Sequence, residues 1–336
     1  MWVDGKLLAR AKEALEEKKR HKDELYDRRL ESVYARAPHV RELDAMIKAT
    51  ITDLIGVALK TVDDRHIEAI RLKNLELQEQ RLIEIQRAGF PDSFLDDGYL
   101  CPKCNDTGYI RTELCGCLLE LYKKELKKSL SDLLKLGDET FDNFDLNYYD
   151  DTPSKDTGVS PRRSMEIIYE TCVEYARKFG VKSLNLFFNG PPGLGKTFLS
   201  ACIARVVAEN GFSVVYDTAA SAFMKFEDVR FSRNADDENR RRMAEESRIE
   251  VARRLECDLL ILDDLGTEMT TAFTIEALYS LINTRLVSGR KTIVSSNLTL
   301  QELGRRYSTQ IMSRLEGEYQ ILTFHGDDIR KKRSAL

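Results

Sequence analysis

No stretch of this sequence approaches the ~20 consecutive apolar residues that a membrane-spanning helix requires. The segment Met1–Arg20 alternates charges with short apolar stretches and lacks the apolar run of a secretory signal. These absences make the cytoplasm the expected location and exclude a membrane partner. Neither charge is in marked excess, with 52 Lys and Arg against 56 Asp and Glu and a net charge of -4. Bulk attraction to nucleic acid is thereby excluded, and any DNA contact has to be local. Internal repeats and low-complexity tracts are also missing, which removes collagenous and wholly disordered classes. What is present is a polar, helix-rich composition of 336 residues, 42% apolar and 32% charged, long enough for two domains or for one large domain with appendages.

From Leu7 to about Arg87 the chain is rich in Glu, Lys, Arg, Leu and Ile, and apolar residues such as Leu43, Met46, Ile47, Ile51, Leu54 and Ile55 recur near helical spacing. A helical region over residues 1–94 follows, broken at Pro38 and ended at Gly89-Phe90-Pro91. Residues 95–136 read as a cysteine-bearing module of short hairpin turns and a helix from Leu118 to about Leu136. Residues 137–160 are polar and turn-rich, as a linker would be. Within residues 161–336 short apolar runs alternate with helix-length segments. The runs are Leu184–Phe188, Ser213–Tyr216, Leu259–Leu262, Thr292–Val294 and Gln320–Thr323. This is the pattern of an α/β domain with a parallel five-stranded sheet, whose ligands bind at the carboxyl ends of the strands.

The motifs fall at those ends. Gly190-Pro191-Pro192-Gly193-Leu194-Gly195-Lys196-Thr197 matches the phosphate-loop pattern G-x-x-x-x-G-K-[ST], after a predicted strand and before a helix that begins at Phe198. Glycines let the backbone wrap the phosphates, Lys196 reaches the β- and γ-phosphates, and Thr197 is placed to ligate Mg²⁺. ATP and Mg²⁺ are thus the expected cofactors. Leu259-Leu260-Ile261-Leu262-Asp263-Asp264 is an apolar strand ending in two carboxylates, the Walker B pattern. Asp263 is assigned to Mg²⁺ through its water shell and Asp264 to polarising the attacking water, with Glu268 as a minor rival. The second position often carries Glu in such ATPases, so the shorter Asp264 predicts slow turnover. Asn297, after the strand Thr292–Val294, is the candidate that orients water against the γ-phosphate, the alternative being a cap for the next helix. Arg314 is a candidate finger into a neighbouring subunit's ATP site or else a surface arginine. Arg330 is a candidate γ-phosphate contact or else part of a solvated tail.

Seven cysteines occur, and four of them, Cys101, Cys104, Cys115 and Cys117, crowd into one C-x₂-C-x₁₀-C-x-C segment. Four thiolates on two adjacent turns suit tetrahedral Zn²⁺ in a closed, structural site, with an iron-sulfur cluster or free thiols as the other readings.

Walker A, Walker B with Asp263-Asp264-Leu265-Gly266, Ser295-Ser296-Asn297, Ser313-Arg314-Leu315 and Gly326-Asp327-Asp328-Ile329-Arg330 occur in that order. Together they resemble the bacterial replicative helicase loaders of the DnaC/DnaI type, which are AAA+ ATPases. Phe141-Asp142-Asn143-Phe144 looks like that family's entry segment near the adenine pocket. The resemblance implies an AAA+ core whose helical lid is absent or vestigial, as in the IstB transposition helpers. It also implies an N-terminal region that grips a hexameric replicative DNA helicase, an ATPase domain that self-assembles through the ATP site and binds single-stranded DNA, and ATP hydrolysis as the switch. The segment 219–255 corresponds to the family's DNA-contacting helices and holds Lys225, Phe226, Arg230, Phe231, Arg233 and Arg240-Arg241-Arg242, although its acidic residues leave a solvated hairpin as the alternative. The loaders often carry a cysteine cluster in the N-terminal part. The rival functions are an IstB-type transposition helper and a zinc-dependent DNA or protein adaptor with little ATPase activity.

Overall fold

The computed structural model describes residues 3–58, 64–134, 139–153, 158–231 and 238–330. Parts of the expected linker, Arg233 and the basic tail after Arg330 lie outside them, and nothing is described of the Arg240 and Arg241 side chains. By its contacts the chain divides into two compact units, one comprising Lys12–Leu118 and the other the residues up to Ala11 together with Leu119 onward. The helical region and the cysteine turns therefore share a unit, while the helix after the cysteines groups with the strand-rich segment.

In the Lys12–Leu118 unit the charged, apolar-striped sequence forms α1 (Gly5–Arg36, from Lys12 on), α2 (Pro38–Ala58) and α3 (Asp64–Arg87). Pro38 stands at the first position of α2, where its missing N–H leaves no hydrogen bond unmade. Val33, Ala37, Val40 and Ile85 form the local core, with Tyr34, Phe90 and Phe94 against it. Asp44 fixes the α2–α3 hairpin, accepting from Arg81 Nε at 2.5 Å and from the Tyr34 hydroxyl at 2.8 Å. The cysteine turns follow as a two-stranded antiparallel hairpin, β1 (Tyr109–Ile110) and β2 (Glu113–Leu114), with Arg111 at φ 56° in its turn.

The other unit begins with Asp4, which caps α1 by accepting from the amides of Lys6 and Leu7 at 2.9 and 3.2 Å. It continues with α4 (Gly116–Leu134, from Leu119 on) and α5 (Pro161–Arg177), which is capped by Ser160. Five parallel strands then build the sheet in the order β4-β5-β6-β3-β7: β3 (Asn185–Asn189), β4 (Val214–Thr218), β5 (Leu259–Leu265), β6 (Lys291–Ser296) and β7 (Tyr319–Thr323). Each apolar run read from the sequence is a strand, and β3 and the first half of β5 are buried throughout because helices cover both faces of such a sheet. The intervening helices are α6 (Lys196–Glu209), α7 (Ala219–Phe231), α8 (Glu238–Glu256), α9 (Ala272–Val287), α10 (Leu300–Arg306) and α11 (Thr309–Glu318). One core cluster joins Phe187, Leu260, Leu262, Val294, Leu278 and Leu315.

A fully buried arginine holds α8 to this core. Arg285 has no exposed surface, and its NH1 donates to the carbonyls of Arg254 (2.7 Å), Leu255 (3.2 Å) and Cys257 (3.0 Å). Its Nε reaches Thr292 at 3.0 Å and its NH2 the Lys291 carbonyl at 2.6 Å. The guanidinium thus meets the negative C-terminal end of α8, which favours a cation there. It also sets the entry of the chain into β5, the strand that carries Asp263 and Asp264.

Candidate nucleotide site and cysteine centre

β3 delivers the chain to the phosphate loop and α6 carries it away. Gly193 and Gly195 adopt φ of 78° and 87°, in the left-handed region that only glycine enters freely. Space is equally short there, since a Cβ on Gly193 would lie 1.8 Å from Asp328 Oδ1 and one on Gly195 would lie 2.9 Å from the Tyr149 hydroxyl. Gly195 starts α6 with no side-chain cap. The first amides of the helix therefore keep their hydrogen-bonding capacity for an anion. Lys196 is folded onto the loop, donating to the carbonyls of Gly190 at 2.7 Å and Pro191 at 2.8 Å. Burial pushes its ammonium pKa down, and the carboxylates of Asp264 and Asp263 act against that shift.

Asp263 ends the buried part of β5 and is saturated with donors. Its Oδ2 accepts from the hydroxyls of Thr197 at 3.0 Å and Tyr216 at 2.6 Å, while Oδ1 accepts from the Ser295 hydroxyl and from the Asp264 amide at 3.1 Å. The hydrogen bond of 3.0 Å between Thr197 Oγ1 and Asp263 Oδ2 sets a hydroxyl and a carboxylate side by side, the oxygen donors that Mg²⁺ and its bound water take, so these two residues suit the ion.

Asp264 stands at φ 55°, an uncommon conformation for a residue with a side chain. Its amide is held by Ser295 Oγ at 3.0 Å, and its Oδ1 accepts from Asn297 Nδ2 at 3.3 Å. Burial and the neighbouring Asp263 push the Asp264 carboxyl above the usual range, while Lys196 and Asn297 oppose them. Asn297 is thus tied to the second carboxylate. The cap of α10 is Thr299 instead, which accepts from Glu302 N in a capping box.

Pro192, Gly193, Gly195, Lys196, Thr197, Phe198, Asp264, Asn297 and Arg330 all line one cavity of about 880 Å³. The opposite wall comes from the segment before α5, where Glu139, Phe144, Tyr148 and Tyr149 line it. Phe144 lies 5.4 Å from Tyr169 and 5.9 Å from Tyr149 in stacked arrangements, and 5.5 Å from Phe198. The Tyr149 hydroxyl donates to the Leu194 carbonyl at 3.0 Å, joining that wall to the phosphate loop. Residues 324–330 close the site from below: Phe324 N donates to Asn189 O at 2.8 Å and Ile329 N to Gly193 O at 3.0 Å. Arg330 reaches the cavity from there and pairs with Asp328 at 3.2 Å.

Two residues are held elsewhere. Glu268 is buried, and its Oε1 and Oε2 accept from the Tyr307 hydroxyl and from Gly266 N at 2.9 Å, so it is a loop brace and not a rival to Asp264. Arg314 does not line the cavity of its own chain. It lies on α11 over the Tyr279 ring at 4.5 Å, and donates to Asn283 Oδ1 at 2.7 Å and to the Tyr279 hydroxyl at 2.9 Å.

Motif reading missed Tyr216, Ser295 and Tyr149. Ser295 belongs to the same Ser295-Ser296-Asn297 motif as Asn297, and Tyr216 closes the apolar run of β4, which neighbours the Walker B strand. Only that adjacency, which follows from strand order, assigns it to Asp263. Tyr149 had no signal beyond its closeness to Phe144.

The helices of segment 219–255 form a pair, α7 against α8, and their side chains divide. Lys225 pairs with Asp228 at 3.6 Å, Phe226 packs against the core, and Arg230 pairs with Glu276 at 2.9 Å while lying 5.1 Å from the Phe273 ring. Phe231 is 70% exposed, and Arg242 is exposed.

In the cysteine turns, Sγ of Cys101 lies 3.7 Å from that of Cys115, and Sγ of Cys104 lies 3.5 Å from that of Cys117. All four sulfur atoms fall within 4.8 Å of one another. With metal-sulfur bonds of about 2.3 Å, tetrahedral geometry places sulfurs roughly 3.8 Å apart, which matches this cluster. The buried Asp106 sets the first turn by accepting from the amides of Cys101 at 2.7 Å and Leu100 at 3.0 Å.

Residues 174–336, just under half of the chain, match the family described as IstB-like ATP binding protein. The replicative helicase loader DnaC of Buchnera aphidicola subsp. Baizongia pistaciae is 28% identical over 160 residues, 47% of this chain and 61% of that protein. The replicative helicase loader DnaC of Escherichia coli (strain K12) is 23% identical over the same shares. The chain thus spans about three-fifths of the length of these relatives. A crystal structure of DnaI superposes with a TM-score of 0.44 at 20% identity, over 61% of this chain and 99% of that one. The family match and the DnaC relatives repeat the resemblance to helicase loaders and IstB-like ATPases read from the motifs.

Proposed function

We propose that the chain is an ATP-hydrolysing loader of a replicative DNA helicase. The observation that carries this reading is the meeting of Lys196, Thr197, Asp263, Asp264 and Asn297 at the carboxyl ends of one parallel sheet, in a segment similar to the DnaC loaders.

The chemistry follows from that arrangement. Loop amides and Lys196, released from the Gly190 and Pro191 carbonyls, hold the β- and γ-phosphates of ATP. Thr197 and, through water, Asp263 hold Mg²⁺, which when bound neutralises the phosphate oxygens. Tyr216 and Ser295 keep Asp263 from rotating. Asp264, aimed by its strained backbone and by Asn297, accepts the proton of the attacking water. The water oxygen bonds to the γ-phosphorus as the bond to the β-γ bridging oxygen breaks, giving ADP and phosphate. The single-methylene reach of Asp264 supports slow turnover. Arg330 contacts the γ-phosphate from the cavity floor, and Arg314, outside its own cavity, acts as a finger on a neighbouring subunit's nucleotide.

The helical region supplies the helicase-binding element. α2 and α3 leave Met46, Ile51, Leu72, Leu75, Leu82 and Ile83 exposed, apolar surface that a partner would cover. Cys101, Cys104, Cys115 and Cys117 would hold Zn²⁺, which would staple the adjoining turns. Single-stranded DNA lies against α7 and α8, where Phe231 and Arg242 are exposed. The four-part division into helical region, zinc module, linker and ATPase domain is retained as a functional division, and the cytoplasm as the place of action.

The IstB-like match of residues 174–336 favours one other reading, a transposition helper with the same ATPase core. Phosphate release measured with and without single-stranded DNA tests the ATPase part of the proposal. Release that is stimulated by DNA and lost in Lys196→Ala supports it, and release indistinguishable from that variant contradicts it.

A further inference from the structure

The loop that follows the Walker B strand is pinned along its backbone. The Asp264 amide donates to Ser295 Oγ at 3.0 Å, and the Asp264 carbonyl accepts from the Thr267 amide at 3.2 Å and from the Thr267 hydroxyl at 2.9 Å. The Leu265 carbonyl accepts from Ser296 Oγ at 2.6 Å, and the Gly266 amide donates to Glu268 Oε2 at 2.9 Å. Gly266 stands at φ 100°, and a Cβ on it would lie 2.6 Å from Leu298. Ser295 and Ser296 belong to β6 and Thr267 to the loop itself, whereas Glu268 carries the loop to a further element. Its Oε1 accepts from the Tyr307 hydroxyl, and its main-chain carbonyl accepts from Arg306 NH2. Arg306 Nε also donates to Thr270 Oγ1 at 2.6 Å. Tyr307 ends α10, is 5% exposed and belongs to the main core cluster, so the anchor is packed protein and not a surface side chain.

Glu268 is buried and makes no ion pair among the described residues. A carboxylate buried without a cation is costly, so packing alone does not account for a charged residue here. The length of Asp264 supplies a reason. With a single methylene, its carboxylate cannot make up by side-chain rotation for a displaced backbone, and that backbone stands in an uncommon conformation that needs holding. A displacement of about 1 Å at a reacting group can cost about 100-fold in rate. On the reading of the cavity as an ATP-hydrolysing site, we infer that Glu268 is a positioning residue for hydrolysis, locking the loop after β5 to Tyr307 and so holding Asp264 where it meets the attacking water. Glu268 does not line the cavity and acts through the Gly266 amide. Glutamine in its place keeps both contacts, since its amide oxygen accepts from Gly266 and its amide nitrogen donates to the Tyr307 oxygen.

Single-turnover hydrolysis of ATP by the full chain, with ATP affinity from calorimetric titration, tests this on wild type, Glu268→Ala, Glu268→Gln and Tyr307→Phe. Each substitution is also placed in the Asp264→Asn background, and Lys196→Ala is the control. Glu268→Ala is expected to slow hydrolysis roughly 10- to 100-fold while ATP affinity stays within about twofold. Glu268→Gln recovers most of the rate, and Tyr307→Phe slows hydrolysis in the same direction but less. In the Asp264→Asn background Glu268→Ala should cost less than about twofold more, because a residue that acts through Asp264 has nothing left to position. A slowing of the same size in both backgrounds overturns the inference, as does a loss of ATP affinity that matches the loss of rate. Glu268→Gln as slow as Glu268→Ala also overturns it, by making the charge itself the requirement. Should Glu268→Ala fail to fold, Tyr307→Phe decides, and a wild-type rate in that variant overturns the inference. Hydrolysis by wild type no faster than by Lys196→Ala removes the ATPase reading and this inference with it. Hydrolysis lost in Lys196→Ala but unchanged in Glu268→Ala removes only the role of Glu268.

Discussion

The phosphate site and the cysteine centre are both built on tight turns, but they are held in place by different means. At the phosphate site the protein satisfies its own groups: Lys196 rests on two loop carbonyls, Asp263 accepts four donors, and Tyr149 and Ile329 tie neighbouring segments to the loop. At the cysteine centre four sulfur atoms converge on one point, and the strands beside them are two residues long. Such short strands bury too little to hold four thiols together unaided. The first site is thus organised by the protein's own groups, whereas the second would depend on a metal ion held by the four thiolates.

This contrast predicts its largest effect at the cysteines. Cys104→Ser, or a strong chelator, removes a contribution that in small zinc modules is of order 10 kcal/mol. Hydrogen exchange should then show residues 96–117 losing protection while β3 and β5 keep theirs. Retained protection of those turns after chelation would erase the contrast.

Lys196→Ala is next. Loss of the ammonium's charge-assisted hydrogen bonds to phosphate should weaken ATP binding by roughly 100-fold, read by titration, with the melting temperature little changed because the loop is tied by other groups.

Asp264→Asn should lower kcat by about 10²- to 10⁴-fold, the range of a general base. Because the Asp264 carboxyl is held above its usual range, wild-type activity should fall on acidification at a higher pH than an ordinary aspartate would give, and the variant should lack that limb. Stability runs the opposite way. A carboxyl with a raised folded pKa binds protons more tightly in the folded state, so its favourable contribution is present at low pH and fades as pH rises through the folded value. At neutral pH Asp264→Asn should therefore raise the Tm, which thermal melts at pH 5 and pH 8 can check by the size of the increment.

The smallest effect is at Tyr216→Phe. One hydrogen bond to a charged group is lost, worth about 1.5–3 kcal/mol at most, and two other hydroxyls remain on Asp263. The Mg²⁺ concentration needed for half-maximal hydrolysis should rise several-fold with kcat nearly kept, and a pure loss of kcat would mean that Tyr216 acts elsewhere.

The sequence carried the architecture because each strand of the five-stranded sheet is a short apolar run and the motifs sit at the strand ends. The glycines and Lys196 were legible for the same reason, since local backbone needs dictate them. Groups brought by tertiary placement were not. Tyr216 joins Asp263 only because β4 lies beside β5, and Tyr149 reaches Leu194 across 45 positions. The grouping of the cysteine turns with α2 and α3 in one compact unit was likewise invisible, because composition changes sharply between them although packing does not separate them.

The central claim is best tested by size-exclusion chromatography with light scattering of the full chain mixed with its host's replicative helicase, in ATP and in ADP, beside Lys196→Ala and a variant lacking residues 1–136. The account predicts a stable complex that requires the N-terminal region and whose transfer of helicase onto single-stranded DNA requires Lys196. Absence of a complex in every nucleotide state would contradict the loader assignment and leave the transposition-helper reading in its place.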